Sequence, residues 1–310
     1  MKITTAFVLG AGLGTRLKSL TAHRPKPLIP VANRALMTYA FDHLIEAGIE
    51  RFVVNTHWRA DAYAREFPLG SYRGARIDFR HESPQVLETA GGIKNVEDLL
   101  GTEPFIVYNG DIFTDLPLQT AFNAHFSSGN EVTMVLRSKD GPLQVSCDPA
   151  SGLITDINRR LNPHSLAQFL FTGIYIVNPA FLARIPAREK VSVIPIFLDM
   201  IRSGAKLGGV VIDAGQWWDL GNREQYLAVH GEIGGKLGAM PWIASSATIA
   251  ERVELEGATA IGLGTRIGAG ARLRDCIVWD GATIADGSVL ERCIVTAGAS
   301  VQGEHFDVDL

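Results

Sequence analysis

The chain has 310 residues, 46% hydrophobic and 20% charged, with a formal net charge of -4; this balance supports a full buried core and excludes an intrinsically disordered chain. Its 29 basic residues are scattered instead of forming the stripe that neutralises a nucleic-acid backbone, so no nucleic-acid partner is expected. Cys147, Cys276 and Cys293 form neither a metal pattern nor a disulfide framework, residues 1–9 lack the long apolar core of a secretion signal, and no apolar run approaches the roughly 18 residues of a membrane span. A soluble, cytoplasmic chain with reduced thiols and no membrane partner is expected.

In the first two thirds, short apolar runs alternate with segments of helical period, the pattern of crossover helices covering a mostly parallel sheet. Strands are expected at residues 3–9, 51–56, 76–80 and 105–108, and helices at 35–47, 58–66 and 91–100, the first closed by Gly48. This describes a doubly wound α/β layer. A glycine-rich linker at 233–241 then separates a first domain, 1–232, from a different pattern at 242–310. There Ile243, Ile249, Leu255, Ile261, Ile267 and Leu273 are spaced by six without a slip, with small residues such as Ala247, Gly257, Gly264 and Gly270 between them. Leu273-Arg274-Asp275-Cys276-Ile277-Val278 also reappears as Leu290-Glu291-Arg292-Cys293-Ile294-Val295. Hexapeptide repeats build a parallel β-helix, here a short one, in which every sixth side chain points into a prism and small residues turn its corners.

The chemistry begins directly after the first strand. In Leu9-Gly10-Ala11-Gly12-Leu13-Gly14-Thr15-Arg16-Leu17, glycines let backbone N–H groups converge on a phosphate at a helix start. The third glycine is Gly14, which breaks the dinucleotide fingerprint, and it is followed by Thr15-Arg16 and not by the Lys-Ser/Thr of a P-loop. Downstream, Pro25-Lys26-Pro27 fixes the backbone on both sides of one lysine, which can then aim its charge. Arg16 and Lys26 together offer two cations to a triphosphate, and phosphoryl transfer depends largely on such positioning and charge neutralisation.

Gly10 to Leu17 followed by Pro25-Lys26-Pro27 resembles the signature of the nucleotide-diphospho-sugar pyrophosphorylases, the sugar-1-phosphate nucleotidylyltransferases. Further motifs agree in order: Glu88-Thr89-Ala90-Gly91-Gly92 is similar to the family's base-binding loop, Asn109-Gly110-Asp111 to its strand-end metal aspartate, Thr172-Gly173-Ile174-Tyr175 to its sugar-binding segment, and Trp218-Asp219-Leu220-Gly221 to its second metal aspartate. The resemblance implies a Rossmann-like nucleotidyltransferase domain followed by a left-handed parallel β-helix. It implies nucleotide contacts from Leu9, Gly10, Ala11, Gly12, Gly14, Thr15, Arg16, Lys26, Glu88, Thr89, Ala90 and Gly91. Sugar contacts are implied for Asn109, Gln144, Thr172 and Gly173, Mg²⁺ ligands in Asp111 and Asp219, and catalytic roles for Arg16, Lys26 and Asp111. Attack by a sugar-phosphate oxygen on the α-phosphorus of a nucleoside triphosphate, with pyrophosphate leaving, is the implied reaction, and a homo-oligomer the implied assembly.

The physics of the aspartates stands beside this, since Asp111 follows a buried strand whose carboxyl end is where open α/β sheets bind ligands, and carboxylates suit Mg²⁺. Many relatives have Gly where this chain has Glu88; here the loop resembles the subgroup containing N-acetylmuramate-1-phosphate uridylyltransferase. A carboxylate at that position could accept from guanine, turn toward the sugar or cap the following helix, which leaves the base as UTP or GTP. In the sugar half, Arg159 and Arg160 stand where relatives place a Glu-Lys-Pro, as phosphate contacts or as a solvated pair. Two rival functions are a silent nucleotide-sugar sensor, against which the intact Arg16, Lys26, Asp111 and Asp219 speak, and acyl transfer by the prism, whose sole histidine is His305. The prism is expected to join subunits or pack on the catalytic domain, and its removal after Ile233 to leave activity intact.

Overall fold

The structure is a computed structural model that describes residues 2–234, 238 and 240–310. Four residues of the expected linker, Gly235, Lys236, Leu237 and Ala239, lie outside the described residues. By its contacts the chain divides into two compact units, Met1–Leu13 with Met37–Trp218, and Gly14–Leu36 with Asp219–Leu310. That division does not follow the sequence boundary at 232: a segment from the start of the chain groups with the repeats.

The first unit is built on one sheet. Its strands are β1 (Thr5–Leu9), β2 (Arg51–Thr56), β3 (Ser71–Tyr72), β4 (Ala75–His81), β5 (Phe105–Asn109), β6 (Val132–Arg137), β7 (Leu170–Val177) and β8 (Leu207–Val211), in the order β8-β6-β7-β5-β1-β2-β4-β3. Most neighbours are parallel, while β7 runs antiparallel to β5 and β6, and β3 to β4. Helices α1 (Leu36–Glu46), α2 (Ala60–Glu66), α3 (Glu88–Asn95), α4 (Glu97–Leu100), α5 (Leu118–Ser128) and α6 (Val193–Arg202) cover it. Alternate strand residues serve opposite layers. Phe7, Val53, Val107 and Tyr175 join Ile93 and Phe197 in one core, whereas Phe52 stacks on Phe41 of α1 with centroids 4.3 Å apart. With helices on both faces, Val8, Val54 and Ile106 are fully buried, which is why these strands read as continuous apolar runs.

The expected strands and first two helices are found within a few residues of their predicted limits. The helix expected at 91–100 is two pieces. It begins earlier, at Glu88, because the Ala90 and Gly91 amides are drawn to the Val191 carbonyl, both at 3.0 Å, and it breaks at the buried Val96, whose φ is -112°.

The second unit contains 3₁₀ turns at Thr15–Thr21 and Lys26–Leu28, helix α7 (Arg223–Ile233), and a prism of three four-stranded parallel sheets. The six-residue period is the rule of the prism. Ile243 stacks on Ile261, Ile249 on Ile267 and Leu255 on Leu273, one pair per sheet. Past Leu273 the next coils are one residue shorter, with Ile261 paired to Val278 and Val278 to Val295, and the last is shorter still, with Leu290 paired to His305. Left-handed backbone at Asp275 and Arg292, φ 52° and 51°, turns the shortened corner, which accounts for the repeated segment at 273–278 and 290–295. Inner side chains are sealed where coils lie on both sides, as at Ile261, while Ile243 in the first coil is 46% exposed. All three cysteines are free, and no helix among the described residues is long and apolar enough to cross a membrane.

Residues 14–36 are anchored to the prism and α7. The Asn33 amide donates to the carbonyls of Trp242 (3.1 Å) and Ile261 (2.9 Å), Arg24 lies 3.6 Å from Asp280, and the Tyr226 hydroxyl donates to the Pro30 carbonyl while accepting from Trp279 Nε1 at 3.1 Å. Cutting the chain after Ile233 would remove the prism partners of Asn33 and Arg24 while leaving the Tyr226 bond to Pro30 in place.

His230, fully buried, accepts from the Ala32 amide at Nε2 (3.1 Å) and donates from Nδ1 to the Tyr226 carbonyl (2.8 Å), which leaves no place for a second proton. Burial lowers its pKa from 6.5 to about 4. Between those values the unfolded chain binds the proton and the folded chain does not, so the stability contributed by the neutral ring is complete above pH 6.5 and is lost as pH falls toward 4. On the order of 3 kcal/mol is involved; urea unfolding across pH 4–7 should show this loss, and His230→Phe should flatten it.

Candidate active site

The carboxyl ends of β1, β2 and β5 meet in register, with Leu9 opposite Asn55 on one side and Asn109 on the other. Immediately beyond, the Gly10 amide donates to Asn55 Oδ1 (2.8 Å) and its carbonyl accepts from the Tyr63 hydroxyl (2.7 Å). Ala11 is buried and Gly12 exposed, so the glycine loop emerges from the sheet at that point. Asn55 Nδ2 in turn donates to Glu82 Oε1 at 2.7 Å, and Glu82 Oε2 accepts from the Leu87 amide at 2.7 Å. Asn55 and Glu82 are each 1% exposed. This buried carboxylate thus ties the phosphate-type loop at Gly10 to the start of the Glu88 to Gly92 loop. Sequence reasoning missed Asn55, Tyr63 and Glu82; a polar residue ending an apolar strand was an available signal for Asn55, whereas Glu82 carries no pattern of its own.

Glu88, at φ 61°, opens α3, and its half-exposed carboxylate lies 3.7 Å from Lys190 Nζ. Thr89 Oγ1 accepts from the Val193 amide at 2.7 Å, and Ala90 and Gly91 are buried. The loop is therefore fastened to residues 191–193, with Glu88 as its accessible side chain.

On the other side of β1, Asn109 and Gly173 are brought together. Gly173 sits in an irregular stretch of β7 at φ 80°, and a Cβ there would come within 2.4 Å of Asn109 Nδ2. Thr172 is fully buried, its hydroxyl donating to the Val135 carbonyl (2.8 Å) and its carbonyl accepting from Trp217 Nε1 (2.9 Å), so its polar atoms are engaged within the fold. Gln144 is half-buried, while Arg159 and Arg160 are exposed on a turn organised by the Asp156 carboxylate, which accepts the amides of Ile157, Arg160, Leu161 and Asn162. Asp111 follows β5, and its charge, after burial, is the second reason the Tyr63 phenol is held well above its usual pKa.

In the second unit the structure assembles Arg16, Lys26 and Asp219. Gly14 takes the left-handed conformation at φ 62° and leads into the 3₁₀ turn bearing exposed Thr15 and Arg16. Lys26, 4% exposed, places Nζ 3.3 Å from Asp219 Oδ1, and Arg16 Nη1 lies 3.5 Å from Oδ2. A Cβ at Gly221 would come within 2.6 Å of Arg16 Nη1, so the bare backbone makes room for the guanidinium. The side chain of Asp219 keeps 32% of its surface exposed. Two cations on one accessible carboxylate form a site that can exchange partners: an anion can draw the cations, and a metal ion the carboxylate. Among the described residues no group of three or more His, Cys, Asp or Glu side chains could hold a metal ion.

Residues 5–234 match the family described as Nucleotidyl transferase. The chain is similar to a mannose-1-phosphate guanylyltransferase of Mycobacterium tuberculosis, 29% identical over 93% of this chain and 83% of that protein. It is also similar to an N-acetylmuramate alpha-1-phosphate uridylyltransferase of Neisseria meningitidis, 31% identical over 68% of this chain and 92% of that protein. Two solved structures share the fold: HddC from Yersinia pseudotuberculosis, with a TM-score of 0.61 and 21% identity over 73% of this chain and 97% of that one, and the inositol-1-phosphate CTP transferase from T. maritima, with 0.62 and 17% over 73% and 92%.

Removing the Glu82 carboxylate leaves the buried Asn55 amide and the half-buried Leu87 N–H without their acceptor. Glu82→Ala is expected to lower stability by about 2–4 kcal/mol in urea unfolding. Glu82→Gln, which keeps one acceptor oxygen, should lose less.

Proposed function

We propose that this chain, which belongs to the Nucleotidyl transferase family and is a nucleotidyltransferase, joins a nucleoside triphosphate to a sugar 1-phosphate and releases pyrophosphate. The observation that carries the reading is the meeting of Arg16 and Lys26 on Asp219. A buried lysine paired to a carboxylate is held in one place, and a fixed cation acts on developing phosphate charge without reorganising at the moment of reaction. Attack by a sugar-phosphate oxygen on the α-phosphorus then needs alignment and charge neutralisation, with no covalent enzyme intermediate.

Residue roles follow the same reading. Leu9, Gly10, Ala11, Gly12, Gly14 and Thr15 carry the triphosphate loop, Glu88 to Gly91 the base loop, and Asn109, Gln144, Thr172 and Gly173 the sugar side. Thr172 would act there through backbone position, its hydroxyl being engaged with Val135. Asp111 and Asp219 are the proposed Mg²⁺ ligands: their carboxylate oxygens are the donors this hard ion takes, and the small protein donor set fits an ion that draws further ligands from phosphate and water. When bound, Mg²⁺ would supply neutralising charge to the phosphates. UTP and GTP are the favoured bases, in keeping with the uridylyl and guanylyl transfer in the names of the two curated relatives. A cytoplasmic homo-oligomer is proposed as well, supported by three free thiols and by apolar Ile243 exposed on the first coil of the prism.

Pyrophosphate release measured with Mg²⁺ over UTP, GTP, dTTP, CTP and ATP against a panel of sugar 1-phosphates should reveal a productive pair with UTP or GTP; silence across the panel counts against the reading. With that pair, Asp111→Asn should keep the wild-type melting temperature within about 3 °C while turnover falls at least about 100-fold. Lys26→Ala should likewise depress kcat, and wild-type rates in that variant would remove Lys26 from the phosphate site.

A further inference from the structure

Arg16 is held only loosely by its 3.5 Å contact to Asp219, so the position of its guanidinium depends on what fixes the 3₁₀ turn beneath it. The turn is closed on itself by Thr21 Oγ1 donating to the Gly14 carbonyl at 2.9 Å, and its outer tie comes from the far end of the prism. One residue, Asp309, touches both segments that carry the charged cluster: Oδ2 accepts from Ser19 Oγ at 3.1 Å, three residues after Arg16, and Oδ1 accepts from Arg223 Nε at 2.8 Å, four residues after Asp219. Arg223 is the first residue of α7, whose start is fixed by Asn222 accepting from the Gln225 amide at 2.9 Å.

Asp309 is itself firmly seated. The Ile294 amide donates to the Val308 carbonyl (3.1 Å), the Leu310 amide to Ile294 (2.8 Å) and the Thr296 amide to Leu310 (2.7 Å), adding residues 308–310 to the last coil. Arg223 also donates to Asp307 Oδ1 (2.7 Å) and to the Arg292 carbonyl, and Arg292 donates to Glu224 Oε2 (2.6 Å). The Arg223 and Asp309 side chains are each only 21% exposed, so this ion pair is shielded more than an ordinary surface pair.

We propose that Asp309 is a positioning residue of the nucleotidyl transfer reaction: by bridging Ser19 and Arg223 it sets the spacing of Arg16 from Asp219 and makes the prism part of the catalytic apparatus. This rests on the reading of Arg16, Lys26 and Asp219 as the phosphate-handling cluster. The carboxylate touches no substrate; it fixes the two segments from which the charged groups project, and small displacements of such groups carry large rate penalties.

The test uses the full chain with Asp309→Ala, Asp309→Asn and Ser19→Ala, together with Asp286→Asn as a control that alters a prism carboxylate capping the Ala269 amide. Hydrogen exchange of amides 15–21 is measured beside steady-state pyrophosphate release. Asp309→Ala should speed exchange in 15–21 about tenfold and lower kcat about tenfold, with KM for the triphosphate changed less than about threefold; Ser19→Ala should reproduce part of both effects, and the double variant should be no worse than Asp309→Ala. Asp309→Asn keeps the side-chain shape and should show the same effects in weaker form, and the control should show neither. Unchanged exchange in Asp309→Ala overturns the clamp, and faster exchange with unchanged kcat overturns its catalytic importance. If wild type turns over no substrate pair, the functional reading fails on that result, and the exchange data still decide whether the clamp exists.

Discussion

A lysine buried to 4% exposure must have an anion, and the pairing of Lys26 with Asp219 is the constraint around which the second unit is organised. Prolines on both sides of Lys26 fix its backbone, so the lysine cannot follow a wandering partner; the carboxylate has to be brought to it. The two residues are 193 positions apart in the chain. Breaking a pair of this kind by removing one member leaves the other charge desolvated, which is a stronger restraint than the pair's net contribution to stability suggests. Arg16 adds a second cation on the outer side of the same carboxylate, and Gly221 leaves the room it occupies.

The prism gives that arrangement a rigid base. The inner side chains of each coil pack on the neighbouring coils, so the core of the prism is close to one-dimensional: inner residues are sealed wherever two coils flank them, and the first coil, with Ile243 half exposed, has an open side. Rigid stacking lets widely separated prism residues hold a single short segment. Asn33 reaches the first two coils through Trp242 and Ile261, Arg24 reaches Asp280, and Ser19 reaches Asp309 on the last, so residues 14–36 are stapled at several heights. The change in coil length after Leu273 is part of the same design, since the left-handed corner at Asp275 also lets its carboxylate cap the Ala258 amide at 2.8 Å.

The first unit supports its loops in another way. Its parallel strands are apolar on both faces and end abruptly in polar residues, Asn55 on β2 and Asn109 on β5, beside the Gly10 turn. Asn55 passes the restraint from Gly10 to Glu82, and Glu82 passes it to Leu87, so two loops far apart in sequence share one buried hydrogen-bonded network. Because every member is satisfied, the network stiffens the loops; with one member missing it would be a liability in a low-dielectric interior.

By itself, the amino-acid sequence determined the architecture, because local patterns carry it: apolar runs alternating with helical period demand a covered parallel sheet, and aliphatic residues every six positions demand a prism. It also pointed to Gly10, Arg16 and Lys26, since glycines after a strand and a lysine between prolines restrict the backbone locally, and to Asp219 through the motif's resemblance to the family. Only the tertiary structure decided that residues 14–36 group with the prism, that Thr172 spends its hydroxyl on Val135, that Glu82 links two loops, and that Asp309 reaches Ser19 and Arg223. These are hydrogen bonds and ion pairs between side chains remote in sequence, without periodicity or composition to announce them, and a carboxylate that caps, clamps or carries charge reads as the same letter until its partners are in place.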